Sequence, residues 1–93
     1  GINKPNKRGY LPLHLAISRN NYDCVKVLIK YDCNIEYPLP NSKDKITPLM
    51  YACQLGNFKI VRLLIDNNAK IEARDRYQRT ALIHSIISGH VDI

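Results

Sequence analysis

Apolar residues along this chain recur in short blocks at helical spacing, separated by polar pairs and by glycine or proline. The block Leu11-Pro12-Leu13-His14-Leu15-Ala16 returns as Thr47-Pro48-Leu49-Met50-Tyr51-Ala52 and again as Thr80-Ala81-Leu82-Ile83-His84-Ser85. Downstream of the first two blocks, Tyr22, Cys24, Val25, Val27, Leu28 and Ile29 find counterparts in Phe58, Ile60, Val61, Leu63, Leu64 and Ile65, with Lys26 matched by Arg62. Such self-similarity at a fixed period marks stacked supersecondary units. Each unit reads as two helices. Thr47 and Thr80 can accept the free N–H groups of a first turn, and Pro48 stands at the first helical position, where its missing donor costs nothing. Short helices are predicted over Pro12 to Arg19 and Pro48 to Leu55, with a third starting near Ala81. After the breaks Asn20-Asn21, Gly56-Asn57 and Gly89-His90, second helices follow over Tyr22 to Tyr31 and Phe58 to Asn67. These second helices are apolar on more than one face, which implies burial from both sides, as in a stack of hairpins.

On these motifs the chain resembles the ankyrin repeat family: Thr47-Pro48-Leu49, Leu13-His14-Leu15-Ala16, Gly56-Asn57-Phe58, Val61-Arg62-Leu63-Leu64-Ile65 and Asn68-Ala69-Lys70-Ile71-Glu72 keep the family's order and spacing. The resemblance covers the whole chain and implies an all-α solenoid of helix-turn-helix units with β-turn fingers. Residues 1–9 then correspond to the finger of a preceding repeat, 10–44 to a repeat with a three-residue finger insertion, 45–77 to a repeat and 78–93 to a truncated one, the whole being cut from a longer array. Leu11 replaces the capping Thr, at a cost of about 1 kcal/mol. Lys45 and Gln78 stand where Gly9 does, at a position that often needs a left-handed backbone, so those turns are expected to be strained or reshaped. Asp32 and Asn68 replace a glycine after the second helix, Asn68 being the better substitute. The segment Tyr37 to Lys43, with Pro38 and Pro40, is expected to form an exposed, stiff loop.

Composition narrows the chemistry. At 93 residues and 10.7 kDa, with 45% apolar and 24% charged residues, the chain has room for one small core and little from which to carve a catalytic pocket. Its apolar runs are too short for a membrane span, and no charged start followed by an apolar stretch suggests a signal peptide. None of the phosphate-binding, dinucleotide-binding, nucleophile-elbow or zinc-protease motifs is present, so the chain reads as a non-enzyme without cofactor. Cys24, Cys33 and Cys53 form no C-x-x-C pair, and His14, His84 and His90 are scattered, so a metal site is disfavoured and a reducing compartment, cytosol or nucleus, is the simpler setting. Alignment puts Cys24 and Cys53 on inner helix faces and leaves Cys33, in a turn, the most accessible thiol. His14 matches the family's structural histidine, and His84, one place later, is expected to be more exposed.

The balance of 14 Lys and Arg against 8 Asp and Glu gives a net charge of +6. Eight of the basic residues, Lys4, Lys7, Arg8, Lys43, Lys45, Arg74, Arg76 and Arg79, fall on three fingers, with Asp44 and Asp75 between them. Polar fingers can be basic simply because they are wet. The family resemblance implies more: the fingers and first helices usually grip another protein, here one with an acidic surface. By alignment the candidates are Lys7, Arg8, Tyr10, Ser18 and Arg19, then Lys43, Asp44, Lys45, Ile46, Gln54 and Leu55, then Arg76, Tyr77, Arg79, Ile87 and Ser88. Tyr10 and Tyr77 would be flat anchors beside Arg, residue types enriched at binding hot spots. Non-specific nucleic-acid binding is the first alternative, set behind because no base-reading element is present. A docking arm of a larger enzyme, channel or effector is another. A stack whose last unit stops at Ile93 also leaves apolar surface that favours self-association.

Overall fold

The computed structural model describes residues 2–40 and 43–90. Five helices follow one another: α1 (Pro12–Ser18), α2 (Tyr22–Lys30), α3 (Pro48–Leu55), α4 (Phe58–Asp66) and α5 (Ala81–Ile87), with no strand among the described residues. The starts are set locally. Thr47 Oγ1 accepts the Met50 N–H at 3.3 Å and Thr80 Oγ1 the Ile83 N–H at 3.5 Å, while Asn21 Oδ1 accepts the Cys24 N–H at 3.1 Å. Leu11 offers α1 no such cap; instead the ring of His14 turns back and its Nδ1 accepts the Leu11 N–H at 2.9 Å. The helix ends are equally local. Asn20, Gly56 and Gly89 close the first helices with φ of 52°, 74° and 81°, and Asp32 and Asn68 close the second helices with φ of 60° and 69°.

Packing runs sideways. α1, α3 and α5 lie against one another in an inner row, α2 packs on α1 and α4 on α3, and α2 meets α4 in an outer row. Leu13, Ile17, Val25, Leu28, Leu49, Met50, Ile60 and Leu64 form the shared core. Polar bonds cross between units as well: Asn57 Nδ2 donates to Ile17 O at 2.8 Å, and Glu36 accepts the Lys70 N–H at 3.0 Å. The architecture is that of an all-α ankyrin solenoid.

Four expectations need correction. Cys24 is exposed, because no described element covers that side of α2; the same position in α4, Ile60, is buried where α2 and α4 meet. Cys33 is buried at 8% exposure, since a Schellman-type closure, Cys33 N–H to Leu28 O at 3.1 Å, draws it inward, as Ala69 is drawn by Leu64 O. Burial raises the Cys33 thiol above its ordinary pKa, helped by the Asp32 carboxylate, and burial also raises that of the buried Cys53. The loop after Tyr37, expected to be exposed, is partly tucked in: His14 Nε2 donates to Tyr37 O at 2.8 Å, the Leu39 N–H donates to Ile46 O at 2.8 Å, and Tyr37, Leu39 and Pro40 are half-buried while Pro38 and Lys43 are exposed. Finally, the second helices are not covered all round, for Val27, Phe58 and Ile65 remain exposed. The expected start of a further helix at Val91 to Ile93 lies outside the described residues.

Candidate interaction face

The first and third fingers turn on the same device. Asn6 Oδ1 accepts the N–H groups of Arg8 and Tyr10, at 2.9 and 3.0 Å, and Asp75 Oδ1 accepts those of Tyr77 and Arg79, at 2.8 and 2.9 Å. A short polar side chain here replaces a strand partner for the turn. Ser42, the aligned position in the second finger, lies outside the described residues. Lys45 and Gln78 take up the left-handed conformation of Gly9, with φ of 60° and 64° against 88°, so the turns keep one shape and carry the strain in their backbones.

Asp75 does more than turn the chain. Its Oδ2 accepts the guanidinium Nε of Arg79 at 2.8 Å and the Nε2–H of His84 at 2.9 Å, and its side chain is fully buried. Burial opposes its ionisation, but the N–H of Arg79, the Arg79 guanidinium, the Tyr77 N–H and the His84 ring outweigh it and hold the carboxyl at about 2. On the other side of the His84 ring, Gln54 Nε2 donates to Nδ1 at 3.1 Å. His84 is therefore buried, contrary to expectation, because it ties α3 to the third finger. His14 has the analogous task between α1 and the second finger; burial lowers its pKa, against the opposing pull of the Tyr37 carbonyl.

The structure brings together most of the predicted residues. Lys7 and Arg8 are exposed on the first finger, Lys43 and Lys45 on the second, Arg76 and Tyr77 on the third. Fingers two and three are joined by the Arg76 N–H to Asp44 O bond at 2.7 Å, which sets Arg76 beside Lys43 and Lys45. Tyr77, 59% exposed, has two guanidinium groups near its ring: Arg79 lies 4.8 Å and Arg76 5.9 Å from the centroid. Tyr10 is half-buried and lines a groove of about 460 Å3 with Asn6, Arg8, His14, Leu15, Ser18 and Tyr51, formed between the first finger and α1 and α3. Leu55, Ile87 and Ser88 are exposed on the first-helix row or just after it.

Four candidates stand differently. Ile46 is only 7% exposed and belongs to the core: it immediately precedes the cap Thr47, where an apolar residue folds back against the helix. Gln54 is half-buried and engaged with His84. Arg79 is clamped to Asp75, so a charge reversal there would set two carboxylates together and would not leave folding untouched. Arg19, though exposed, lines a separate groove of about 920 Å3 with Asp23, Phe58, Lys59, Arg62 and Asp66, beside the outer helices. Tyr51, not among the candidates, shares the finger groove; its place one turn from Thr47, in register with Leu15, is the sequence signal that marks it.

Comparison with known proteins agrees with the fold. Family models described as ankyrin repeats match residues 37–93 and residues 2–38. The chain is 34% identical over 80 residues to the poly(ADP-ribose) polymerase tankyrase of Caenorhabditis elegans, covering 85% of this chain and 4% of that protein. It is 31% identical over 84 residues to the glycerophosphocholine phosphodiesterase gde1 of Schizosaccharomyces pombe, covering 87% and 7%. To the human ankyrin repeat and SOCS box protein 6 it is 30% identical over 84 residues, covering 86% and 19%. The chain thus spans only a small part of these relatives, and the likeness is confined to it. With helix pairs, fingers and matching repeats in agreement, the chain belongs to the ankyrin repeat family.

Proposed function

We propose that this segment binds another protein on the face made by its fingers and first helices, and that the surface it grips is acidic. Ankyrin repeats are in general protein-interaction modules and are typically non-catalytic. The observation that carries the finer reading is the placement of charge. Lys7, Arg8, Lys43, Lys45 and Arg76 are exposed on adjoining fingers, whereas the carboxylate of Asp75 is buried and already paired. Such a rim steers an acidic partner and excludes a basic one. Tyr77, with two arginines near its ring, supplies a flat anchor whose freedom these contacts reduce before binding.

Free thiols suit a reducing compartment, cytosol or nucleus. No helix among the described residues is long and apolar enough to cross a membrane. Two of the similar proteins carry enzyme names, which favours a docking-arm role should this segment belong to a larger catalytic chain. Site-specific photo-crosslinking tests the face: a crosslinker at Tyr77 or Ile87 should capture the partner and one at Lys59 should not. Capture from Lys59 alone would place the interface on the outer helices and overturn the reading.

A further inference from the structure

Beneath the basic fingers lies a floor of a different character. The sequences of α1 (PLHLAIS), α3 (PLMYACQL) and α5 (ALIHSII) contain no Asp, Glu, Lys or Arg. Leu15, Leu55 and Ile87 are exposed on these helices, Ile87 at 62%, where soluble proteins more often place polar groups. Floor and fingers are two walls of one concavity, for Leu15 and Tyr51 line the same groove as Arg8 and Tyr10. Acid is scarce in it. Among the described residues Asp23 and Asp66 sit on the outer helices, Asp32, Glu36 and Glu72 in the turns that follow them, and Asp75 is buried, leaving Asp44 between the finger lysines.

We infer that the partner is an amphipathic α-helix with an apolar stripe flanked on one side by carboxylates, laid across the first helices so that the stripe meets the floor and the carboxylates meet the fingers. This rests on the concave-face reading above and makes it specific. The two walls adjoin at an angle, and a helix can present two adjacent faces of different chemistry. An extended strand cannot: its side chains alternate between opposite faces, so apolar contact with the floor would send its acids to solvent instead of to the finger wall. Spacing agrees. Neighbouring packed helices lie about 8–10 Å apart, and a helix returns the same face after two turns, about 10.5 Å along its axis. Each apolar repeat of the partner can therefore meet a successive first helix.

Four synthetic probes test this by fluorescence anisotropy and circular dichroism. One is a peptide of about 18 residues with Leu at i, i+3, i+4 and i+7 and Glu along one flank. The second has the same composition rearranged to strict alternation, the third carries Lys for Glu, and the fourth is a DNA duplex. The first should bind at least about tenfold tighter than the others at roughly 0.15 M salt and gain helicity on binding. Ile87→Ser and Leu55→Ser, at exposed positions, should each weaken it about fivefold. Arg76→Glu should weaken it at least as much, with the loss shrinking at high salt. Unchanged melting curves show that the variants remain folded. If the alternating acidic peptide binds as well as the helical one, still through Arg76, the helical partner is wrong while the acidic concave face stands. If binding falls with Lys59→Glu or Arg62→Glu and not with Arg76→Glu, both readings fail. Preference for the Lys peptide or the duplex, or no binding by any probe, also overturns the inference.

Discussion

Asp32, Lys45 and Gln78 hold left-handed backbones without glycine's freedom, and each sits at a turn where the repeat geometry leaves no alternative. A non-glycine residue there costs about 1–2 kcal/mol, partly offset in a substitution by glycine's larger unfolded-state entropy. Lys45→Gly and Gln78→Gly should therefore each stabilise the chain by roughly 0.5–1 kcal/mol in urea unfolding, whereas Asn68→Gly, at a position already tolerant, should change little. Destabilisation by Lys45→Gly would mean that its side chain, not its backbone, matters to the fold. Asp75 gives a second test at this scale. Asn in its place keeps an acceptor for the Tyr77 and Arg79 N–H groups but loses the charge that holds the Arg79 guanidinium and the oxygen that accepts from His84. Asp75→Asn should cost on the order of 1–3 kcal/mol at neutral pH. Because the folded carboxyl ionises at about 2, below its ordinary 3.8, its contribution is full above about pH 4 and is lost as pH falls to and through about 2. The stability gap between wild type and variant should narrow over that window. A gap constant from pH 7 to 2 would contradict the charged, buried assignment.

The elements most legible in the sequence are those whose signals are local. Thr47-Pro48 and Thr80 announced α3 and α5, Gly56-Asn57 the turn to α4, and the repeated apolar spacing the second helices, with α1 to α4 ending within one residue of the expected place and α5 starting at it. The burial of His84 was not legible, because it depends on a partner in another element, whereas that of Cys33 and Ile46 follows from a helix-end closure and a cap-preceding position whose signals are local but weak. Cys33 is drawn in by Leu28 O, Ile46 folds back against the helix that Thr47 caps, and His84 answers a carboxylate nine residues before it. That lengthened finger is an element with its own anchor. A Cβ built on Gly9 would lie 2.8 Å from Pro40 Cβ, so the first two fingers touch through the space a side chain would fill. Gly9→Ala should thus cost more than the strain of its φ of 88° alone, while Gly89→Ala, with a φ of 81° and no atom of the described residues within 4 Å, should cost only that strain, about 1 kcal/mol. Equal melting points for the two variants would show that the second finger gives way freely.

At the scale of the whole molecule, the stack converts local signals into one broad surface. Its extents of 33 × 27 × 21 Å are small, yet inner helices and fingers adjoin across all of the described units. Polar ties run across that surface: Gln54 on α3 to His84 on α5 to Asp75 on the third finger, and His14 on α1 to the second. The anchors are thereby ordered before a partner arrives, and less entropy is lost when it binds. The outer helices present the other rival surface, with Lys26, Lys30, Lys59 and Arg62 exposed, so position decides between the two. Backbone amide mapping by NMR during titration with the acidic helical peptide reads position directly. Shifts should concentrate at Arg8, Leu15, Tyr51, Arg76, Tyr77 and Ile87 and leave Lys26, Lys30, Lys59 and Arg62 unmoved; shifts confined to the latter four would place the partner on the outer helices and rule out the concave face.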